Sequence, residues 1–381
     1  MPEEATSSAF VAEGIRINKG AEETVRALLH SLLESGKVDA VLALGRTGNG
    51  SEGVAYSLFR DPAAFEADGD ALPLLPFMPA NAGGLLSRLT LEGALDEPVA
   101  AVIRPCELRA FVELEQLDQA PGENVLLVSS TCGGVYPLDG GIDGSLLEEK
   151  LPDYWERMAR GELSEAVRPT CRACQHFVPE GADITVALLG QADLDTECTL
   201  HLNTERGAAS ASALEGTPIS ERPESEAIDR SQSEREAFRE ELFAGVGVGL
   251  KDLIHTFGRC IGCHGCKTVC PICYCHLCYF DSQNCERPTG YYEGELVRKG
   301  GLRVPSDTVY FQLGRMAHMA LSCVGCGMCT DVCPADIPVS TMFSKVGAAA
   351  QAVFDYEPGR DVAEEIPLRT FEDEEFAQVA T

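Results

Sequence analysis

The chain has 381 residues, 45% of them hydrophobic, so it is long enough to fold as two or three domains around apolar cores. Its net charge of −30, from 60 acidic and 30 basic residues, argues against a nucleic-acid-binding protein, because such proteins present basic surfaces to phosphate. No run approaches the length of apolar chain that spans a bilayer, and the acidic start MPEEATSSAF lacks the apolar core of a secretory signal, so we expect a cytoplasmic protein without a membrane span.

The first half of the chain alternates helical and strand patterns. Apolar residues at helical spacing, from Val25 to Leu33, predict a helix over 21–36 that ends at Gly36. Short apolar runs predict strands at 38–45, 99–104, 124–130, 183–190 and 198–207. This alternation predicts a mixed α/β or α+β domain over residues 21–215, preceded by an N-terminal extension, residues 1–20. The segment GNGSEG (48–53) is interpreted as a glycine-rich turn rather than a dinucleotide fingerprint, because the following helical pattern is short.

The composition changes after this domain. Residues 208–236 are polar, charged and poor in aromatic side chains, which predicts a linker leading into a helix near 234–256. We therefore place a linker and helix at 216–245, a small second domain at 246–350 with a cysteine-rich insertion at 271–322, and an acidic tail at 351–381.

The chain contains 17 cysteines. In a reducing compartment such a number favours metal ligation or redox chemistry over disulfides. Two stretches share the spacing C-x2-C-x2-C-x3-C followed by proline. They are Cys260, Cys263, Cys266 and Cys270, and Cys323, Cys326, Cys329 and Cys333.

This repeated spacing is typical of a ferredoxin-like domain with two [4Fe–4S] clusters, in which the fourth cysteine of each motif binds the other cluster. We therefore predict that Cys260, Cys263, Cys266 and Cys333 hold one cluster and that Cys323, Cys326, Cys329 and Cys270 hold the other. Structural zinc sites use paired C-x2-C knuckles instead, so zinc is disfavoured here.

The insertion adds Cys273, Cys275, Cys278 and Cys285. Four cysteines in thirteen residues predict a further cluster or a zinc ion. The alternative is a set of spare thiols packed by the neighbouring aromatic residues Tyr274, Tyr279 and Phe280.

Four cysteines of the first domain are candidate ligands of a third cluster. Cys106 follows Pro105 at a predicted helix start, Cys132 precedes two glycines, and Cys171 and Cys174 form the motif CRAC. Spacing alone leaves three possibilities open: a third [4Fe–4S] cluster, separate buried thiols, or a redox-active C-x2-C pair. Cys198 is expected to lie in the core.

The order of the motifs in this domain resembles a known family. IRPCELRAFVEL, STCGGVYP, CRACQHFVPEGADITVALLG and LNTERG are similar to segments of the beta subunits of coenzyme F420-reducing hydrogenases and formate dehydrogenases. The resemblance covers residues 20–215, and the ferredoxin-like half and the tail YEPGRDVAEEIPLRTF also look like the formate dehydrogenase form.

This resemblance implies a flavin- and iron–sulfur-binding first domain. Cys106, Cys132, Cys171 and Cys174 would hold the cluster, and FAD would bind beside it with Asn81, Arg104, Thr204 and Arg206 as candidate contacts. Two departures, RPCE in place of the common TPCQ and the insertion, leave open whether the hydride carrier is coenzyme F420 or NAD(P)H.

The function expected from these features is that of an oxidoreductase subunit. FAD and the clusters would pass electrons between a hydride carrier and a catalytic formate dehydrogenase or hydrogenase subunit. The alternative is an electron-relay subunit of a heterodisulfide-reductase-like, electron-bifurcating complex with no soluble substrate of its own. A zinc-stabilised interaction module is a third, distant reading. No side chain is expected to act as a catalytic acid or base.

Overall fold

The structure is a computed structural model, and it describes residues 13–47, 53–138, 144–220, 222, 224–247, 249–285, 287–301 and 307–369. The chain divides into two compact units. The first comprises residues 1–240 and 359–364, and the second comprises 241–358 and 365–381.

One mixed eight-stranded sheet organises the first unit, which confirms the predicted mixed α/β fold. Its strand order is β3-β2-β4-β5-β6-β7-β1-β8. The strands are β1 (Glu13–Ile17), β2 (Ala40–Arg46), β3 (Val54–Phe59), β4 (Val99–Val102), β5 (Val125–Ser130), β6 (Ile184–Ala187), β7 (Cys198–Leu202) and β8 (Thr217–Ile219). Strands β2, β4, β5 and β6 run parallel, and the remaining pairings are antiparallel.

The centre of the sheet is buried on both faces. Every residue of β4, β6 and β7 is buried, and so are the first five residues of β5. This explains why the sequence shows continuous apolar runs there rather than alternation, because helices cover both faces of a parallel sheet. The helices of this unit are α1 (Ala21–Glu34), α2 (Ala82–Thr90), α3 (Pro105–Gln116), α4 (Gly144–Ala159), α5 (Pro169–Arg172), α6 (Glu205–Ser210) and the first four turns of α7 (Ser225–Ala244).

The parallel register determines where the loops of interest meet. Val102 pairs with Val128, and Ser130 pairs with Val186, so β4, β5 and β6 end close together at one edge of the sheet. In open α/β sheets ligands bind beyond the carboxyl ends of such strands. The loops that begin at Ile103 and Thr131 both leave from this edge.

Two parts of the chain that we expected to be an extension and a linker contribute to the sheet and its cover. Strand β1 pairs with β7 and β8, although it lies within residues 1–20, and β8 lies within 216–245. More than half of the polar stretch 208–236 is helical, since it contains the end of α6 and the first twelve residues of α7. Helix α7 has few apolar residues, and its buried residues are polar: Ser231 and Arg235. This is why the sequence predicted a helix only from about residue 234 and not over the first half of α7.

The second unit is helical among its described residues. Its helices are α8 (Leu250–Phe257), α9 (Gly265–Thr268), α10 (Thr289–Lys299), α11 (Thr308–Met319), α12 (Met328–Asp331) and α13 (Val339–Phe354). The buried faces of α11 and α13 supply Phe311, Met316, Met342 and Phe343 to its core. The two cysteine motifs lie in the loops around the one-turn helices α9 and α12.

In the portion of the chain that the structure describes, no helix is both long enough and apolar enough to cross a membrane. The glycine-rich segment 48–53 lies outside the described residues except for Gly53.

Candidate iron–sulfur centres

Cys106 lies in the first turn of α3, at the sheet edge described above. Pro105 occupies the first helical position, where its missing N–H costs nothing, and the carboxylate of Glu107 accepts a hydrogen bond from the backbone N–H of Arg104 at 2.8 Å. The free N–H groups at this helix start favour negative charge on a nearby thiol. The sequence therefore places Cys106 correctly at a helix start.

A buried polar network holds this helix start in place. The Tyr56 hydroxyl donates to Glu107, whose two carboxylate oxygens lie 2.7 and 2.9 Å away, and it accepts from Arg104 Nη1 at 2.9 Å. Glu107 also accepts from the backbone N–H of Ala82 at 3.0 Å. Burial, together with the Glu107 carboxylate, raises the pKa of Tyr56 well above its usual value, so this phenol remains a donor.

Cys132 lies in the loop that follows β5. The hydroxyl of Thr131 accepts hydrogen bonds from the N–H groups of Leu188 and Leu189 at 2.8 and 2.9 Å, which ties this loop to the end of β6. Gly134 has φ +89° and donates its N–H to Cys132 Sγ at 3.3 Å. A β-carbon at Gly134 would lie 2.8 Å from Cys171 Cβ, so glycine is needed where the two cysteine loops approach.

The structure brings Cys132, Cys171 and Cys174 together, and Arg104 links Cys106 to this group. Cys171 and Cys174 flank the end of α5, and Cys174 N–H donates to the Cys171 carbonyl at 3.2 Å. The thiols of Cys132, Cys171 and Cys174 interact electrostatically with one another, and Arg104 interacts with both Cys106 and Cys132. These cysteines come from three loops that are far apart in sequence.

A buried arginine on α7 joins two of these loops. Arg235 is 1% exposed, and its guanidinium donates to the carbonyl oxygens of Cys171 at 3.0 Å and Cys132 at 2.6 Å. The same guanidinium lies 3.9 Å from the centroid of the Phe177 ring. Sequence reasoning missed this residue because α7 was interpreted mainly as a linker. The only signal was an arginine four residues after Ser231, on the same helix face.

The electrostatics fit a site for an iron–sulfur cluster. Burial raises the pKa of Cys171 to about 12, against the opposing effect of Arg168, and burial likewise raises the pKa of Cys132 against Arg104. Buried thiols that must ionise to bind metal need positive charge close by. Arg104, Arg168 and Arg235 supply that charge around the four cysteines, so the donor set suits a cluster held by thiolates.

In the second unit, each cysteine triplet of the ferredoxin motifs forms a local group. The thiols of Cys260, Cys263 and Cys266 interact electrostatically, and so do those of Cys323, Cys326 and Cys329. Positive φ values at Gly262, Gly325 and Gly327 allow the tight loops that bring each triplet together.

The fourth cysteine of the first motif lies near the second triplet. Cys270 lines a cavity together with Cys323, Cys326 and Cys329, and Pro271, Ile272 and Val324 form part of its apolar wall. On the other side, a β-carbon at Gly265 would lie 3.5 Å from the carbonyl oxygen of Val332, which precedes Cys333. The position of Cys270 is the one that crossed ligation requires, and ligation of the first cluster by Cys333 stays a prediction.

The cysteines of the insertion are dispersed. Cys273 lies beside Cys270, whose side chain hydrogen-bonds to it and contributes with burial to a raised Cys273 pKa. Cys285 Sγ lies 3.3 Å from the Tyr279 carbonyl oxygen, and Cys275 is exposed. Over its described ranges the chain has no group of three or more His, Cys, Asp or Glu side chains arranged to hold one metal ion, and all its cysteines are free thiols. Metal binding by Cys273, Cys275, Cys278 and Cys285 stays a prediction.

The four candidate FAD contacts fall into two groups. Asn81 caps α2 through a 3.2 Å bond from the Gly84 N–H and, with Arg104, lies near Glu107. Thr204 and Arg206 both bind Asp183, at 2.6 and 2.8 Å, and Asp183 directly precedes β6. The two groups therefore lie at opposite ends of the parallel strands, and their contact with FAD stays a prediction.

The sheet edge has polar groups suited to a ligand but little space. The amide nitrogen of Asn81 and the hydroxyl of Ser129 are buried without hydrogen-bond partners. Ser129, Arg104 and Cys132 line a cavity of about 30 Å³. Cofactor and ligand pockets span roughly 300–1,000 Å³, so FAD does not fit this cavity unless its lining moves.

Comparison with known proteins agrees with this geometry. Residues 256–337 match the family model of a 4Fe-4S dicluster domain. The F420-dependent formate dehydrogenase subunit beta of Methanocaldococcus jannaschii is 26% identical over 367 residues, covering 88% of this chain and 91% of the relative. The F420-dependent formate dehydrogenase 1 subunit beta of Methanococcus maripaludis is 27% identical over 382 residues, with 88% and 90% covered.

A solved structure, titled as a xenon derivative of the F420-reducing [NiFe] hydrogenase complex from Methanosarcina barkeri, contains a chain with a TM-score of 0.44 and 17% identity. The match covers 66% of this chain and 98% of that chain.

The predicted resemblance to this family and the predicted iron–sulfur content of the second domain are thus confirmed. The chain is an iron–sulfur electron-transfer subunit of the oxidoreductase class, similar over most of its length to the beta subunits of F420-dependent formate dehydrogenases.

Proposed function

We propose that this subunit holds three [4Fe–4S] clusters and FAD, and that it transfers electrons between coenzyme F420 and the catalytic subunit of a cytoplasmic formate dehydrogenase. The observation that carries the proposal is that Cys132, Cys171 and Cys174 interact with one another, as does each ferredoxin triplet, and that both triplets lie in the segment matching a dicluster domain. The relatives' names supply the candidate hydride carrier and partner.

The clusters, when bound, accept and donate single electrons. The work of the chain is to hold them. Cys106, Cys132, Cys171 and Cys174 would bind the first-domain cluster, and the eight ferredoxin-motif cysteines would bind the other two. Arg104, Arg168 and Arg235 place positive charge beside buried thiolates, which lowers the cost of keeping negative charge out of water.

FAD is proposed on chemical grounds. A hydride carrier delivers two electrons together, whereas clusters take one at a time, so a cofactor able to do both is required between them. The partnerless groups of Asn81 and Ser129 support a ligand at the carboxyl ends of β4 and β5. The cavity there, about 30 Å³, would have to widen to admit the cofactor.

The test is anaerobic purification of the full chain, followed by counting of iron, sulfide, zinc and flavin. We expect about twelve iron atoms per chain if all three clusters are present. A count of about eight iron atoms per chain would show that the first domain holds no cluster. A folded protein without iron would refute the proposal. The Cys171→Ser variant should lose about four iron atoms.

Reduction assays separate the proposal from its alternatives. Reduced coenzyme F420, NADH and NADPH are each mixed with the flavin-loaded chain while flavin absorbance is followed. Bleaching by reduced F420 alone supports the proposed carrier, and bleaching by a nicotinamide alone replaces it. If none bleaches the flavin, the chain is better described as a relay in a heterodisulfide-reductase-like complex. Co-purification with a formate dehydrogenase, a hydrogenase or heterodisulfide-reductase-like subunits identifies the partner.

A further inference from the structure

Helix α11 turns a polar face towards the first ferredoxin motif. Gln312 and Arg315 are three residues apart, so they lie on the same face of the helix. Both are buried, with exposures of 1% and 3%, among apolar neighbours such as Phe311 and Met316. Burying a guanidinium is costly unless it meets negative charge, and no carboxylate is recorded among its partners in the described residues.

The shortest hydrogen bonds of Arg315 go to a cysteine; Gln312 Oε1, 3.5 Å from its Nη1, and the Cys273 side chain are further partners. Its Nη1 donates to Cys266 Sγ at 3.1 Å, and its Nη2 donates to the Cys266 carbonyl oxygen at 3.0 Å. Gln312 Nε2 lies 3.8 Å from the sulfur atoms of both Cys260 and Cys266. Two side chains of one helix therefore direct N–H donors at the first triplet.

Arg315 also faces the second triplet. It lines the cavity formed by Cys270 and Cys329, and its guanidinium lies 4.8 Å from the centroid of the Phe343 ring. Its Nε is buried and has no hydrogen-bond partner. A buried, unpartnered donor between two thiol groups points to an acceptor that is part of a bound cluster.

We propose that Arg315 is a potential-setting residue of the dicluster domain, making the cluster bound by Cys266 easier to reduce than it would be without this guanidinium. The inference rests on the proposed function, because it requires the clusters to be present. Arg315 lies on α11, within the insertion between the two cysteine motifs, so the proposal gives part of that insertion a role in tuning the cluster.

The direction follows from charge. Reduction brings one electron from an external donor, dithionite in the assay, and makes the cluster with its thiolates one charge more negative. A fixed positive charge and an N–H donor on a ligand sulfur stabilise that more negative state, and their removal favours the oxidised state. Arg315 is buried, so solvent and salt screen this interaction little.

The experiment is an EPR-monitored redox titration of the full chain, purified anaerobically, in wild-type, R315Q, R315K and R259Q forms. Glutamine removes the charge and keeps a donor, whereas lysine keeps the charge. Arg259 is the matched control, because it lies in the same domain beside Cys260, is exposed, and donates to the Asp336 carbonyl at 3.0 Å.

We expect R315Q to reduce the ratio of reduced to oxidised cluster at least tenfold at a fixed potential, which is about 59 mV for a one-electron couple. This shift should affect one cluster more than the others. The ratio of reduced to oxidised cluster should change less in R315K than in R315Q, and it should change by less than threefold in R259Q. If the R315Q and R259Q titrations coincide, the proposal is overturned.

A structural role gives a different result. If R315Q loses iron, R315K decides the outcome. R315K supports the proposal if it keeps its iron and its ratio of reduced to oxidised cluster differs from wild type by less than tenfold. Loss of the cluster in R315K overturns the proposal. An iron-free wild-type chain refutes the proposed function itself. An iron-loaded wild type with potentials insensitive to Arg315 refutes only this inference.

Discussion

Replacement of Arg235 by methionine tests whether helix α7 is part of the first-domain site. The guanidinium makes hydrogen bonds to two cysteine carbonyls and to Ser231 Oγ at 3.1 Å, and it covers the Phe177 ring. Methionine retains much of the length and apolar stem but none of the donors, so the carbonyl oxygens of Cys132 and Cys171 would be left without this partner.

The expected magnitude follows from these contacts. Hydrogen bonds from a charged donor contribute about 1.5–3 kcal/mol each, so losing the two bonds to the cysteine carbonyls costs about 3–6 kcal/mol. We therefore expect R235M to lower the free energy of unfolding by about 3–6 kcal/mol. That is a large part of the roughly 5–15 kcal/mol that stabilises a typical domain.

The assay follows denaturant unfolding by fluorescence. Trp155 is the one tryptophan of the sequence, and it packs against Tyr154 in the first unit, with ring centroids 5.0 Å apart. Its fluorescence therefore reports on the unit that contains Arg235. Iron is counted in the same preparations, and R235M should lose about four iron atoms per chain.

Arg230 provides the control on the same helix, because it is exposed and R230M removes an equal charge. The free energy of unfolding of R230M should differ from that of wild type by less than about 1 kcal/mol. An R235M protein with wild-type iron and a loss below that level would refute the reasoning that α7 holds the cysteine loops together.

Three further predictions concern other parts of the chain. Burial raises the pKa of Glu224, but the hydrogen bond with His201, whose Nε2 lies 2.5 Å from Glu224 Oε1, a backbone hydrogen bond and the charge of Arg222 together outweigh burial, so the net pKa is below the usual value. The extra stability of wild type over E224Q should therefore be complete above about pH 5 and decline as pH falls through the depressed pKa, as measured by urea unfolding at several pH values. C270S should lose about four iron atoms, whereas C198S, at a buried core position in β7, should lose stability and keep its iron. C285S should lose zinc or iron if the insertion binds metal.

Each of these has a contrary outcome. A wild-type advantage over E224Q that persists unchanged at pH 3 would show that the carboxylate charge does not matter. Full iron in C270S would exclude crossed ligation of the second triplet. Unchanged iron, sulfide and zinc in C285S would count against an extra site in the insertion.

The spacing of apolar residues located the five central strands of the sheet, β2, β4, β5, β6 and β7, and helix α1. The helix predicted over 21–36 is α1 (Ala21–Glu34), and the strand predicted over 124–130 is β5 (Val125–Ser130). These predictions succeed because a helix with one buried face, or a strand buried in a parallel sheet, requires apolar residues at a characteristic spacing in the sequence. Strand β8 and the first half of helix α7 show no such spacing, since β8 has three residues and the buried side chains of α7 are polar.

The candidate ligands divide in the same way. The triplets around Cys263 and Cys326 can be recognised because three ligands within one short loop require a fixed spacing. For Cys106, Cys132 and Cys171 spacing carries almost no information, and the resemblance to a family identified them as a set. The predicted FAD contact Arg104 is held by Tyr56 and Glu107, a pairing that sequence order does not reveal.

The sequence by itself determined the two ferredoxin motifs, the α/β character of the first unit and the cysteines available to bind iron, because these depend on chemistry and periodicity within short segments. Only the tertiary structure decided which charges stand beside those cysteines. The packing of α7 brings Arg235 to the backbone carbonyl of Cys171, 64 residues away in sequence, and the packing of α11 brings Arg315 to the sulfur of Cys266, 49 residues away. Side-chain charge acts through space, and distance in space is a property of the fold.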